Sequence, residues 1–258
     1  MGWPGSLTHS GGFPIMALNP GGFGLFRTIF VNLNILLAFL TLAYPRVVLS
    51  ILDRSGDLAH KVARLWGRWI LASAGVRVRV QGKENLLQGG PQVVFSNHSS
   101  YFDVFCLLAH LPIQFRWLAK EELFRIPLFG KAMEYGGYLP IDRSNPRRAH
   151  RSMVAAAQRI SAGTSIVIFP EGTRSRDGKL QEFKSGGAIL AIRAQVPVVP
   201  VAIIGTHRIM TKGTLRVKPG PVEIRVGEPI PTEGLSQKHR EDLLSRARQS
   251  ISMLMGEG

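Results

Sequence analysis

From residue 76 to the end of the chain, short runs rich in β-branched residues alternate with stretches of helical periodicity. This alternation favours an α/β domain, because helical crossovers join strands that run parallel. The expected strands are 76–80, 92–96, 114–119, 137–141, 165–170, 196–203, 214–219 and 222–227, and the expected helices are 101–110, 127–135, 146–161, 185–194 and 237–255. Only a Gly-Pro pair separates the last two strands, which predicts a hairpin. The expected fold is therefore a mixed, mostly parallel sheet flanked by helices.

An uncharged stretch, TIFVNLNILLAFLTLAYP, occupies residues 28–45 between Arg27 and Arg46. As a helix it would be roughly 27 Å long, just under the ~30 Å hydrocarbon core of a bilayer. Asn32 and Asn34 weaken its apolar character. We expect a helix that spans the membrane or lies embedded in it, and the alternative is a buried core helix. An arginine at each end leaves its orientation open.

The segment HKVARLWGRWILASAG, residues 60–75, predicts a basic amphipathic helix. Tryptophans on its apolar side suit a membrane interface, whereas packing on the domain is the ordinary alternative. The expected organisation is a flexible Gly- and Pro-rich tail (1–24), membrane-associated helices (25–75) and an α/β domain (76–258).

The chain carries 32 Lys and Arg against 17 Asp and Glu, a net charge of +15. Such a surplus predicts an anionic partner: a nucleic acid, an anionic membrane or a phosphorylated substrate. The only cysteine, Cys106, excludes an intramolecular disulfide and lies in an apolar run typical of a core. A reducing compartment fits this composition.

A polar segment, NHSSYFD at residues 97–103, follows the expected strand 92–96. Ser100 and Asp103 have the spacing of a helix capping box, which would leave His98 unexplained. Alternatively, Asp103 in the first helical turn could reach back to His98 and fix its tautomer. The second ring nitrogen could then take a proton from a substrate hydroxyl.

This segment resembles the N-H-x4-D motif of the glycerolipid acyltransferases, specifically the 1-acylglycerol-3-phosphate acyltransferase (PlsC-like) family. KEELFRIPLFG from Lys120 and GYLPIDR ending at Arg143 resemble the second block of that family. FPEGTRS, residues 169–175, resembles its third block, and VPVVPVAI from Val196 resembles its fourth. A lone H-x4-D is a weak signal, but four blocks in family order are specific.

The resemblance implies transfer of a fatty acyl group from acyl-CoA or acyl carrier protein to the free hydroxyl of lysophosphatidate. His98 would be the general base and Asp103 would orient it. The substrate-binding residues carried over from the motifs are Lys120, Arg143, Glu171, Gly172, Thr173 and Arg174. Backbone N–H groups near Glu171 and Gly172 are candidates to stabilise the oxyanion. No cofactor and no metal are expected.

The implied partners are lysophosphatidate, the acyl donor and a lipid surface. The expected location is a membrane, the bacterial inner membrane with the catalytic domain on its cytoplasmic side. An acyltransferase acting on another lysolipid or on glycerol 3-phosphate remains an alternative. A nucleic-acid-binding protein has only the charge in its favour, because no binding module occurs. A metal hydrolase is disfavoured since the other histidines are scattered.

Overall fold

A seven-stranded mixed sheet forms the centre of the chain. The computed structural model describes residues 24–37, 53, 55–142 and 145–257. The strands are β1 (Val76–Gln81), β2 (Val93–Ser96), β3 (Arg116–Lys120), β4 (Leu139–Ile141), β5 (Ile166–Ile168), β6 (Val198–Ile204) and β7 (Gly220–Val226). Their order across the sheet is β1-β7-β6-β2-β5-β3-β4. Five strands from β6 to β4 run parallel, and β7 with its parallel neighbour β1 runs the opposite way. The predicted mixed, mostly parallel sheet is confirmed.

Helices cover both faces of this sheet. They are α1 (24–37), α2 (Asp57–Ser73), α3 (Phe102–His110), α4 (Glu121–Phe124), α5 (Phe129–Tyr135), α6 (Pro146–Ser161), α7 (Gly186–Ala194), α8 (Thr206–Ile209) and α9 (Arg240–Met255). Along β2, Val94 joins a core shared with α2 and α3, whereas Val93 and Phe95 join a core shared with α6, α7 and α9. The central strands are therefore apolar on both faces, as strands inside a parallel sheet must be.

The helix α2 packs tightly on α3. A Cβ at Gly67 would lie 3.0 Å from the Phe105 carbonyl oxygen, so a larger residue would push the two helices apart. The predicted amphipathic helix is present, and its buried side includes Ala63 and Ile70. Leu65 and Trp69 are instead 63% and 46% exposed. The apolar residues of this helix, which were predicted to share one face, therefore lie partly on the buried side and partly on the exposed side.

The start of α2 is fixed to the sheet by Arg116, which is only 5% exposed. Its guanidinium donates to Asp57 Oδ1 at 2.7 Å, to the Ser55 carbonyl at 2.8 Å and to the Phe115 carbonyl at 2.9 Å. These three short bonds, with a longer one of 3.4 Å to Gln114 Oε1, compensate the loss of hydration of this buried cation. The predicted boundary near residue 75 stays a prediction, although α2 shares a core with the sheet.

The predicted strand 214–219 is wrong, and with it the predicted hairpin. These residues form an irregular part of the 210–219 loop between α8 and β7, and β7 pairs with β6 and β1 instead. The loop backbone binds α1: Asn32 Nδ2 donates to the Leu215 carbonyl at 3.0 Å, and the Val217 amide donates to Thr28 Oγ1 at 3.1 Å. Backbone groups of the loop are thus bound by α1, and residues 214–219 form no strand.

Most of α1 is apolar and exposed. Leu25, Phe26, Ile29, Phe30, Leu33, Leu36 and Leu37 are each between 46% and 70% exposed. Within the described residues, no helix combines the length and apolar character needed to cross a bilayer. The predicted stretch 28–45 lies only partly in α1, and its remaining residues, like the predicted tail up to residue 23, lie outside the described residues.

Candidate active site

The two polar motif segments meet at the carboxyl edge of the parallel strands. Residues 97–103 follow β2, and residues 169–175 follow β5, its direct neighbour. On its other side β2 pairs with β6, which leads into α8. Loops beyond the carboxyl ends of parallel strands are where such sheets place their sites.

His98 and Asp103 form the predicted contact. His98 Nδ1 lies 2.8 Å from Asp103 Oδ2, and the aspartate is fully buried whereas the histidine side chain is 16% exposed. A carboxylate only accepts hydrogen bonds, so Nδ1 carries a proton, and in the neutral imidazole Nε2 then has a free lone pair. The pair has the arrangement of an oriented general base.

The same Asp103 oxygen also caps α3. The amides of Ser99 and Ser100 donate to Oδ2 at 2.7 and 2.8 Å. The helix begins at Phe102 with Tyr101 as its N-cap residue, one position after the Ser100 of the capping-box alternative, although the Ser100 amide makes the bond to Asp103 that a capping box requires. Ser100 Oγ accepts from the Phe102 amide at 3.3 Å and donates to the Met210 carbonyl at 2.8 Å. Asp103 therefore contacts both the start of α3 and the His98 ring, so its two interpretations do not exclude each other.

The backbone of His98 is held by the third block. Its amide donates to Glu171 Oε1 at 2.6 Å, and its carbonyl accepts from the Ser175 amide at 2.7 Å. Gln181 donates to Glu171 Oε2 through its backbone at 3.3 Å and its side chain at 2.9 Å. Burial raises the pKa of Glu171, against the lowering effect of these hydrogen bonds. Glu171 thus has a positioning task besides the substrate contact expected from its motif.

The His98 imidazole is also held by stacking. It lies on the Phe169 ring with centroids 3.9 Å apart and planes 11° from parallel, and Phe169 in turn stacks on Trp117 at 5.5 Å. Stacking on one face and a hydrogen bond at Nδ1 together define the direction of Nε2. No sequence pattern indicates a role for Phe169 itself, and the only signal is its place in the FPEGTRS block.

Of the predicted cations, Arg174 contacts the segment that carries His98 and Asp103. Its guanidinium carbon is 3.7 Å from the centroid of the Tyr101 ring, a cation–π contact. Lys120, at the end of β3, pairs with Glu122 at 3.0 Å, and both side chains are more than half exposed. Arg143 lies outside the described residues. Ion pairs this exposed are weak, so Lys120 can exchange its partner for a ligand.

The remaining motif residues form the turn after β5. Gly172 has φ 74°, a conformation that glycine adopts without strain, and its amide donates to the Phe169 carbonyl at 3.1 Å. The turn itself therefore uses this N–H group, one of those expected near the oxyanion. Thr173 is exposed, and its Oγ1 accepts from Lys212 Nζ at 3.0 Å. No group of three or more metal-ligating side chains occurs among the described residues.

The family sequence profile described as Acyltransferase matches residues 77–204. The chain is 34% identical over 198 residues to the human 1-acyl-sn-glycerol-3-phosphate acyltransferase alpha, covering 76% of this chain and 70% of that protein. This chain belongs to the 1-acyl-sn-glycerol-3-phosphate acyltransferase family.

Two further relatives agree with the family assignment. The chain is 36% identical over 177 residues to the 1-acyl-sn-glycerol-3-phosphate acyltransferase of Limnanthes douglasii, covering 68% of this chain and 62% of that protein. The crystal structure of the 1-acyl-sn-glycerophosphate (LPA) acyltransferase PlsC from Thermotoga maritima superposes with a TM-score of 0.74 at 27% identity, covering 90% of this chain and 97% of that one. The chain spans 56% to 64% of the length of several plant and algal relatives of this family.

Proposed function

We propose that this protein transfers a fatty acyl group from acyl-CoA or acyl carrier protein to the sn-2 hydroxyl of 1-acyl-sn-glycerol 3-phosphate. The product is phosphatidate. The observation that carries the proposal is the His98–Asp103 pair, 2.8 Å apart at the carboxyl edge of the sheet, with Arg174 on the Tyr101 ring of the same segment. The named activity of the relatives supports the same reaction.

In the proposed mechanism His98 Nε2 takes the proton of the acceptor hydroxyl as its oxygen attacks the thioester carbonyl carbon. Asp103 stabilises the imidazolium that forms. The tetrahedral intermediate then collapses, the carbon–sulfur bond breaks, and the imidazolium returns the proton to the leaving thiolate. No acyl-enzyme is needed because the acceptor itself is the nucleophile.

The acceptor phosphate requires cations. Arg174 and Arg143 suit this task because a guanidinium can bind phosphate through two parallel hydrogen bonds, and Lys120 would add a point charge. Glu171, Gly172 and Thr173 would contact the substrate from the turn after β5. In this proposal the positive surplus of 15 charges also favours anionic lipid and the phosphates of CoA.

The proposed place of action is a membrane surface, the cytoplasmic side of a bacterial inner membrane. The apolar side chains of α1 are exposed, which suits contact with lipid. Both the acceptor and the product carry acyl chains, so a site next to a leaflet would receive them directly.

The test compares membranes that contain the wild-type protein, His98→Ala or His110→Gln, supplied with radiolabelled oleoyl-CoA and 1-acylglycerol 3-phosphate. His110 is the matched control because it ends α3, whereas the proposed base precedes the start of that helix. Loss of a general base should lower the rate by at least about 10²-fold, and the control should keep it. Equal rates for wild type and His98→Ala would refute the mechanism.

Parallel reactions identify the substrates. Glycerol 3-phosphate and other lysolipids replace the acceptor, and acyl carrier protein replaces CoA as the carrier of the acyl group. Faster transfer to one of those acceptors than to 1-acylglycerol 3-phosphate would replace the proposed substrate while leaving the chemistry of His98 in place.

A further inference from the structure

Lys212 reaches the active-site turn from outside all four sequence blocks. It lies in the 210–219 loop, beyond the residues 77–204 that match the family profile. Its Nζ donates to Thr173 Oγ1 at 3.0 Å and to the Arg174 carbonyl at 2.6 Å. These two bonds use two of the three ammonium protons, and the third remains available for another acceptor.

The loop that carries Lys212 is itself fixed to the His98 segment. Thr206 Oγ1 and Ser99 Oγ are 3.0 Å apart, and Ser100 Oγ donates to the Met210 carbonyl at 2.8 Å. All four residues are buried. Lys212 therefore extends from a rigid base two residues beyond Met210, and its position relative to the catalytic pair is defined.

The surroundings of Lys212 leave its charge uncompensated. Across the part of the chain that the structure describes, neither Lys212 nor Arg174 forms an ion pair with a carboxylate. Arg174 lies instead on the Tyr101 ring. Lys212 thus contacts the backbone of a residue whose own cationic side chain also lacks an acidic partner, and an anion that reached both side chains would be attracted by two positive charges.

We propose that Lys212 is a positioning residue of the substrate site, a role that rests on the proposed function. By holding the Thr173 hydroxyl and the Arg174 carbonyl, it fixes the turn so that the Arg174 guanidinium faces a phosphate of a bound substrate. Its own charge adds to the attraction for that phosphate. The phosphate belongs to the acceptor lipid or to the CoA of the donor, and kinetics distinguish the two.

The experiment compares Lys212→Met with Lys218→Met in membranes containing the full chain. Lys218 is the matched control because it lies in the same loop, is exposed, and loses the same charge. Loss of two charge-assisted hydrogen bonds should raise one KM by about tenfold while kcat changes less than about twofold. A rise in the KM for 1-acylglycerol 3-phosphate assigns the phosphate to the acceptor, and a rise in the KM for acyl-CoA assigns it to the donor.

A double-mutant cycle separates positioning from simple destabilisation. In an Arg174→Ala background the effect of Lys212→Met on KM should shrink to less than about threefold, because residues that act through one another are not additive. Effects that multiply in full would overturn the proposal. So would a Lys212→Met variant that behaves like Lys218→Met, or one in which kcat falls and both KM values stay unchanged.

A binding measurement keeps this proposal distinct from the proposed reaction. Glycerol 3-phosphate and CoA are added separately to the detergent-solubilised proteins. At least one of them should raise the Tm of the wild type by a shift that Lys212→Met reduces and Lys218→Met preserves. If the wild type transfers no acyl group, the proposed function fails, and these shifts still test Lys212. Equal shifts in all three proteins with each of the two ligands would overturn the role of Lys212.

Discussion

Replacing Asp103 by asparagine would remove the charge beside His98 while preserving the hydrogen bonds around it. Asp103 Oδ2 accepts three N–H groups, from His98 Nδ1, Ser99 and Ser100, each within 2.8 Å. The other oxygen, Oδ1, is buried and has no hydrogen-bond partner among the residues that the structure describes. Asparagine must keep its carbonyl oxygen on the three donors, because its amide group there would oppose donor to donor. The His98 tautomer should therefore survive the substitution.

Two costs follow from this geometry. The new amide group takes the place of Oδ1 and lacks an acceptor, which should lower stability by about 1–3 kcal/mol. The second cost is the transition-state stabilisation that is lost with the Asp103 charge. Its upper bound is the Coulomb energy between unit charges 2.8 Å apart, about 6 kcal/mol at an effective dielectric constant of about 20. Its lower bound is the difference between a charge-assisted and a neutral hydrogen bond, about 1 kcal/mol. Between these bounds we expect kcat to fall about 10²-fold, close to 3 kcal/mol.

The assay measures phosphatidate formation at saturating acceptor and donor for Asp103→Asn and for Asp242→Asn, whose side chain is exposed on α9. Expression and Tm are compared so that loss of folded protein is not counted as loss of rate. The KM values should stay within about threefold, because the charge acts on the transition state. A kcat within about threefold of the wild type would show that the Asp103 charge does not stabilise an imidazolium, and our account of the pair would be wrong.

Three further predictions concern stability and reactivity. Burial raises the pKa of Glu171 above its ordinary 4.5, so the folded protein binds the proton of this carboxyl more tightly than the unfolded chain does. Protonation of Glu171 therefore stabilises the fold. The stabilisation is full below about pH 4.5 and is lost as pH rises through the folded-state pKa. The Tm advantage of the wild type over Glu171→Gln should therefore shrink between about pH 4 and pH 7, and an advantage that grows would contradict the sign. Burial also raises the pKa of the Cys106 thiol, so a maleimide should label it only after unfolding, and rapid labelling of the native protein would mean that α3 opens. Arg116→Met should lower the free energy of unfolding by about 2 kcal/mol in thermal or urea unfolding, because three acceptors lose a buried donor. The control Arg125→Met removes only an exposed ion pair and should change the free energy of unfolding by less than about 0.5 kcal/mol. Equal effects of the two variants would show that Arg116 does not fix the start of α2.

The centre of the sheet was predictable because its strands are buried on both faces. The runs that become β2, β5 and β6 are continuously apolar, and such runs identify inner parallel strands. The stretch 214–219 also alternates apolar and polar side chains, yet Leu215 is 68% exposed. Side-chain alternation carries no information on which backbone lies alongside, and here the partner is α1 rather than a strand.

Within the site, the sequence predicted the contact between residues that are close along the chain. Asp103 follows His98 by five positions, and a loop followed by a first helical turn brings them together. The bond between the His98 amide and Glu171 joins residues 73 positions apart, and it exists because β2 and β5 are neighbours. No sequence pattern indicated Lys212, whose place depends on the path of the 210–219 loop.

The contacts of the third block, residues 169–175, with His98 have a consequence for recombination between relatives. Glu171 binds the His98 amide, Ser175 binds its carbonyl, and Phe169 stacks on its ring. A chimera that took only residues 97–103 from a relative would place the histidine of one parent against the Phe169, Glu171 and Ser175 contacts of the other. Small differences in those contacts would change the direction of the Nε2 lone pair. Crossover points that keep residues 97–103 and 169–181 from one parent preserve the orientation of His98, even when the 65 residues between them, 104–168, come from the other parent.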